Sequence, residues 1–316
     1  MQNTKYKIRL IVPVKLQYFT FLILHLQMTI QEANQQLLSG LKSIYDPREA
    51  VAITDLVMES ITKRQKTDRI IQKNFSLAVS EKLLLEKYSA ELMNHRPVQY
   101  VLHEAWFCGM KLYVDERVLI PRPETEELVS WIIDDISDFK QEVSEINILD
   151  VGTGSGCIPI ALKKKLSQAS IYSCDISQDA LDVAQQNASM QKVDINFILS
   201  DFLNANNRDL LPTFDLLVSN PPYIPVSNRK NMSEHVVGHE PPAALFVHDN
   251  NPLIFYEALA DFVVEKSAAR TKIFAELHED FAEEVKQLFF SRRFAAAEIR
   301  KDMYGNDRMI KATMLL

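Results

Sequence analysis

A short apolar run, Phe214-Asp215-Leu216-Leu217-Val218, stops at Ser219-Asn220-Pro221-Pro222-Tyr223, and no other stretch narrows the possible folds as much. The run has the length and character of a strand buried on both faces in a parallel sheet. Two prolines then end it, because neither has an N–H to donate to a ladder. The polar groups of Ser219 and Asn220 are left facing outward at the carboxyl end of the strand. In an open α/β sheet that edge is where ligands sit. Tyr223 adds an aromatic face. Such a corner suits a planar nitrogen, whose N–H groups meet fixed oxygens while its plane lies against a ring.

The surrounding pattern supplies the sheet. From Ile146 onward apolar runs alternate with amphipathic ones, which predicts parallel strands joined by crossover helices. Strands are expected at 146–151, 169–174, 194–199, 214–219, 271–277, 293–300 and 307–315, and helices at 157–166, 178–190, 252–266 and 279–290. The last two strands lie too close together for a crossover and should form an antiparallel hairpin.

A second site precedes the proline corner. Asp150-Val151-Gly152-Thr153-Gly154-Ser155-Gly156 follows the first of these strands and opens a helix. Glycines at alternate positions let the backbone turn tightly and approach a ligand. The spacing is not the Gly-x-Gly-x-x-Gly that cradles a pyrophosphate, and Asp150 would repel a phosphate while suiting an ammonium group. Asp175 closes the second strand, where an acid can accept both ribose hydroxyls. Asp201 and Phe202, after the third strand, offer an acceptor for an adenine amino group and an apolar face for its ring. Three acids and no phosphate cradle describe a nucleoside that carries a cationic amino acid, S-adenosylmethionine. The cofactor set is then Asp150, Gly152, Thr153, Gly154, Ser155, Gly156, Asp175, Asp201, Phe202 and Asn220. The acceptor is assigned to Asn220, Pro221, Pro222 and Tyr223, with Asn220 and Tyr223 in the catalytic roles.

The first half of the chain reads differently. Residues 29–94 show helical spacing throughout, with Asp46-Pro47-Arg48-Glu49 as a helix start and Ala50, Ile53, Leu56, Val57 and Ile61 as its apolar face. Val98–Phe107 and Met110–Val114, rich in β-branched and aromatic residues, predict a hairpin turning at Cys108-Gly109. Glu124–Trp131 then begins a helix. In residues 1–27 Lys5, Lys7, Arg9 and Lys15 precede the apolar Tyr18–Leu24. That run falls short of the ~18 residues that span a bilayer, so this segment is expected to be an extension upstream of the true reading frame rather than a membrane anchor.

Composition excludes little else. The net charge of −7 argues against a protein whose main task is to coat nucleic acid. Three cysteines without a CxxC pair point to a reducing cytoplasm. His235 and His239 are four apart, but Gly238 intervenes, so they read as loop residues and no metal site is expected.

Asp150–Gly156, Asp175 and Asn220-Pro221-Pro222-Tyr223 together resemble the motifs of class I S-adenosylmethionine-dependent methyltransferases. More narrowly, Pro97-Val98-Gln99-Tyr100, Ile120-Pro121-Arg122-Pro123-Glu124-Thr125-Glu126, Glu240-Pro241-Pro242-Ala243-Ala244-Leu245 and Tyr304-Gly305-Asn306-Asp307-Arg308 are similar to segments of the HemK-type release factor glutamine methyltransferases. The resemblance runs from about residue 30 to the C-terminus. It implies an α/β fold: a Rossmann-like seven-stranded methyltransferase domain (123–316), a helical substrate-recognition domain (28–97) and a β-hairpin linker (98–122). The implied reaction is N5-methylation of the glutamine in the Gly-Gly-Gln motif of peptide chain release factors, with no direct contact to nucleic acid or membrane. His103 and His278 depart from the pattern, each standing where the family usually has Gly. Three other readings remain at this point: glutamine methylation of a ribosomal protein, methylation of an adenine amino group, and a non-catalytic cofactor-binding module.

Overall fold

The computed structural model describes residues 28–137, 146–266 and 271–314. The expected extension over 1–27 lies outside the described residues. Two compact units divide between Leu102 and His103.

The first unit is helical. Helix α1 (Ile30–Leu41) opens on a capping box in which Thr29 and Glu32 satisfy each other's backbone N–H groups. Helix α2 (Pro47–Thr62) starts as expected, with the Asp46 carboxylate accepting from the N–H groups of Arg48 and Glu49. Helices α3 (Lys66–Ile71), α4 (Val79–Met93) and α5 (Val98–Leu102) complete it. Ala50, Ile53, Val57 and Ile61 pack with Leu37, Leu41, Leu85 and Leu92, whereas Leu56 turns outward. Helix α5 corrects the expected strand from Val98. The N–H groups of Tyr100 and Val101 both bond to the Pro97 carbonyl, and burial of Val98, Tyr100 and Val101 overrides their β-propensity.

The second unit begins with the expected hairpin, β1 (Ala105–Phe107) and β2 (Met110–Leu112), which turns on Cys108 and Gly109. Helix α6 (Pro123–Ser137) follows. Then come β3 (Asn147–Val151), α7 (Cys157–Lys165), β4 (Ser170–Asp175), α8 (Gln178–Gln191), β5 (Asn196–Leu199), the short α9 (Ala205–Arg208) and β6 (Leu216–Ser219). Between β6 and α12 (Ile254–Lys266) the chain makes small pieces that periodicity did not predict. These are β7 (Ile224–Pro225), α10 (Glu234–Val237), α11 (Pro242–Leu245) and β8 (Phe246–Val247). The order ends with β9 (Lys272–Glu276), α13 (Ala282–Ser291), β10 (Phe294–Lys301) and β11 (Asp307–Met314).

Seven strands form one sheet in the order β10-β11-β9-β6-β3-β4-β5. All neighbours from β9 to β5 are parallel, and β11 is antiparallel to both β9 and β10. Alternation splits the core between the two faces. Leu149, Leu217 and Ile273 pack with Leu259 and Phe262 of α12, and their neighbours Ile148, Leu216 and Phe274 pack with Leu128 and Trp131 of α6. Among the described residues no helix is long and apolar enough to cross a membrane.

Candidate active site

The strand order reverses at β3, which has β4 on one side and β6 on the other. Such a switch point opens a crevice at the carboxyl edge. Register decides what stands there: Val151 pairs with both Cys174 and Ser219, and Ser219 also pairs with Ala275. The next residues along the edge are therefore Gly152, Asp175, Asn220 and Glu276.

The cofactor half is made mostly of backbone. The N–H groups of Gly152 and Thr153 donate to the Cys174 carbonyl, at 2.9 and 3.1 Å. The Gly154 N–H donates to Asp175 Oδ2 at 2.9 Å, and the Ser177 N–H donates to its Oδ1 at 2.9 Å. Gly154 needs its glycine for a φ of 51°, and Gly156 for a φ of 78°. A Cβ on Gly156 would also lie 3.1 Å from that of Ala184, so the loop can seat α7 close against α8 only without one.

A cavity of about 460 Å³ opens in front of this loop. Gly152, Thr153, Gly154, Ser155 and Asp175 line it, as do Asp201, Phe202, Asn220, Pro221 and Pro222. Ten of the thirteen residues singled out in the sequence therefore share one wall. Gly156 sits behind it, capping α7.

Asp150 departs from its expected place. Its side chain is fully buried behind the loop and off the cavity wall, with Oδ2 accepting from Ser173 Oγ at 2.6 Å. Its Oδ1 has no partner, and neither does the buried Ser200 hydroxyl on the cavity wall. Burial pushes the Asp150 carboxyl up to about 7.

Tyr223 departs as well. Its ring faces an adjoining hollow shared with Asn228, His278 and Arg308, not the main cavity. His278 meets the ring edge-on at 6.2 Å, and burial raises the phenol well above its ordinary range. Arg308, whose positive charge works against that rise, donates to Asp302 and to the Leu277 carbonyl. That anchoring fixes Arg308 in the hollow.

The acceptor half is made of side chains, several of which no spacing rule had singled out. Asn220 Nδ2 donates to Thr125 Oγ1 at 3.1 Å. Arg122 pairs with the buried Glu240 at 2.5 Å, and the same carboxylate accepts from the Ile120 N–H at 3.3 Å. This pair joins the segment before α6 to the one before α11, and Pro121, Arg122 and Pro241 all line the cavity. Glu276, at the end of β9, is 1% exposed. The sequence did carry a signal for Glu276. Like Asp175, it is an acid that closes a strand.

The family described as "Methyltransferase small domain" matches residues 136–239. The chain is 38% identical over 287 residues to a release factor glutamine methyltransferase of Flavobacterium psychrophilum, covering 90% of this chain and 99% of that one. It is 32% identical over 273 residues to the protein of the same name in Bacteroides thetaiotaomicron, covering 86% and 96%. Among solved structures, the catalytic domain of hMettl16, in complex with an RNA hairpin, superposes with a TM-score of 0.50 over 74% of this chain and 81% of that one. At 12% identity that likeness speaks for the fold alone.

Proposed function

Since the chain belongs to the release factor glutamine methyltransferases, we propose that it transfers the methyl group of S-adenosylmethionine to the side-chain amide nitrogen of the Gly-Gly-Gln glutamine in peptide chain release factors. One observation carries the reading. A cavity of about 460 Å³ at the switch point joins a glycine loop and two acids to Asn220-Pro221-Pro222.

The residues present fit the cofactor. Asp175 and Asp201 offer carboxylates to hydroxyl and amino groups, Phe202 and Leu203 give an apolar wall, and the glycine loop admits close approach. The buried Ser200 hydroxyl on the cavity wall has no partner within the protein. Such an orphan is costly unless a ligand satisfies it. When bound, the cofactor supplies an electrophilic methyl group.

The rest of the chemistry is positioning by this chain. An amide nitrogen is a weak nucleophile because its lone pair is delocalised into the carbonyl. Asn220 Oδ1 and the Pro221 carbonyl accept the two N–H bonds of the glutamine and hold the nitrogen at the cavity wall. The proton becomes acidic only after alkylation, so no strong general base is required. Tyr223 supports this corner from the adjoining hollow. The chain acts in the cytoplasm on a protein and makes no direct contact with nucleic acid.

Incubation with labelled cofactor and either release factor or adenine-containing RNA and DNA is the test. Label on the release-factor glutamine is expected. Label on nucleic acid alone would replace the substrate assignment.

A further inference from the structure

We propose that Glu276 is a positioning residue that fixes which way round the Asn220 carboxamide sits, acting through the Thr125 hydroxyl. The inference rests on the reading of Asn220 as the group that accepts from the substrate amide.

Three observations place the parts. Ser219 pairs with Ala275, so Asn220 and Glu276 follow one another on adjacent strand ends. Thr125 and Glu276 are 2% and 1% exposed, so water does not compete freely for their bonds. Asn220 Nδ2 donates to Thr125 Oγ1 at 3.1 Å, and the Thr125 hydroxyl favours the charged form of the Glu276 carboxylate, whose buried Oε1 has no other partner within the protein.

The polarity of this chain of bonds follows from the donor inventory. A hydroxyl has one proton to give, and an ionised carboxylate can only accept. The Thr125 proton is therefore committed to Glu276, and Thr125 can only accept from Asn220. A carboxamide is nearly symmetric in shape, so packing alone does not choose between its two orientations. Commitment of Nδ2 to Thr125 makes the choice, leaving Oδ1 for the cavity and the substrate N–H. Were Glu276 to carry a proton, it would donate to Thr125, free the hydroxyl proton for Asn220 Oδ1 and turn Nδ2 toward the substrate. A donor facing a donor cannot hold the glutamine nitrogen.

The groups around Glu276 set where that change falls. Glu124 and Arg122 face it from the start of α6 and the segment before it, and Arg308 from β11. Tyr223 adds its phenol from the proline corner, and the Tyr256 hydroxyl on α12 donates to the Glu276 backbone carbonyl at 2.8 Å. Burial outweighs the two arginines and lifts the carboxyl to about 7. The orientation thus changes within a pH range where the enzyme can be assayed.

The experiment pairs methyl transfer with side-chain amide NMR of protein labelled at asparagine, using Asn220→Ala to identify the Asn220 signal. In the wild type, turnover rises with pH along an acidic limb, and the Asn220 amide protons shift with the same midpoint without substrate. In Glu276→Gln and Thr125→Val, both close in shape to the native side chains, the limb disappears. Turnover falls at least ~10-fold, as when an oriented group is lost, while KM for the release factor changes little. Thr125→Ser, which keeps the hydroxyl, recovers turnover relative to Thr125→Val. An Asn220 amide signal insensitive to pH, or an unaltered acidic limb in both variants, would overturn the proposal. Failure of the wild type to label any release factor would refute the function instead, and the substrate-free amide titration would still decide the relay.

Discussion

The two halves of the carboxyl edge are built from different materials. Around Gly152–Gly156 the contacts are backbone N–H groups to a carbonyl and a carboxylate, with conformations that only glycine adopts cheaply. Around Asn220 they are side chain to side chain: Asn220 to Thr125, and Arg122 to Glu240. Each half also hides a buried acid, Asp150 behind the loop and Glu276 beside the proline corner, both lifted to about 7 by burial. A backbone cradle tolerates many sequences in its variable positions but no bulk at its glycines. A side-chain network tolerates bulk nearby but not the loss of one member, because the remainder is left buried and unpaired.

The largest expected effect tests the side-chain half. Asn220→Ala should lower turnover at least ~100-fold, the loss of about 2.7–4 kcal/mol typical of a removed oriented group, while calorimetry shows cofactor affinity little changed. Equal losses in both would mean that the two halves are one unit.

Next comes the buried acid of the backbone half. Asp150 is raised from 3.8 to about 7, so the folded protein holds a proton between those values that the unfolded chain has released. Stability of the cofactor-free protein should therefore fall as pH rises across that window, by roughly 4 kcal/mol from this group. Thermal unfolding of Asp150→Asn over the same range should show a flatter curve than wild type, and an unchanged slope would place the titration elsewhere.

Breaking the latch of the side-chain half should cost less. Arg122→Met leaves Glu240 buried with only the Ile120 N–H, and a loss of about 2 kcal/mol in urea unfolding is expected. The smallest effect belongs to Asp175→Ala. It should weaken cofactor binding by about 1–2 kcal/mol in calorimetric titration, with the glycine loop still held by the Cys174 carbonyl. A larger loss there than at Arg122 would reverse the contrast between the halves.

Much of this was legible in the chain because the signals are local. The capping box was not singled out, but the Asp46-Pro47 start of α2 was. So were all seven strands of the sheet and the pairing of β10 with β11. The short pieces between β6 and α12 were not, since two to four residues carry no periodicity. Helix α5 differs from the expected strand because Val98, Tyr100 and Val101 favour strands, and their burial reversed that preference.

By itself the sequence determined where chains of atoms must stop or bend. Pro221 and Pro222 have no N–H, so β6 ends there, and Gly154 and Gly156 have no Cβ, so the loop after β3 turns there. Those are properties of single residues, and they hold wherever the segment is placed. Only the tertiary structure decided which neighbours meet. Register set Asn220 beside Glu276, packing of α6 brought Thr125 to Asn220, and Tyr223 met His278 and Arg308 in the hollow. It also removed water from Asp150 and Glu276, and with it the ordinary chemistry of a carboxylate. Contact partners and burial belong to pairs and surroundings rather than to residues, so no local pattern encodes them.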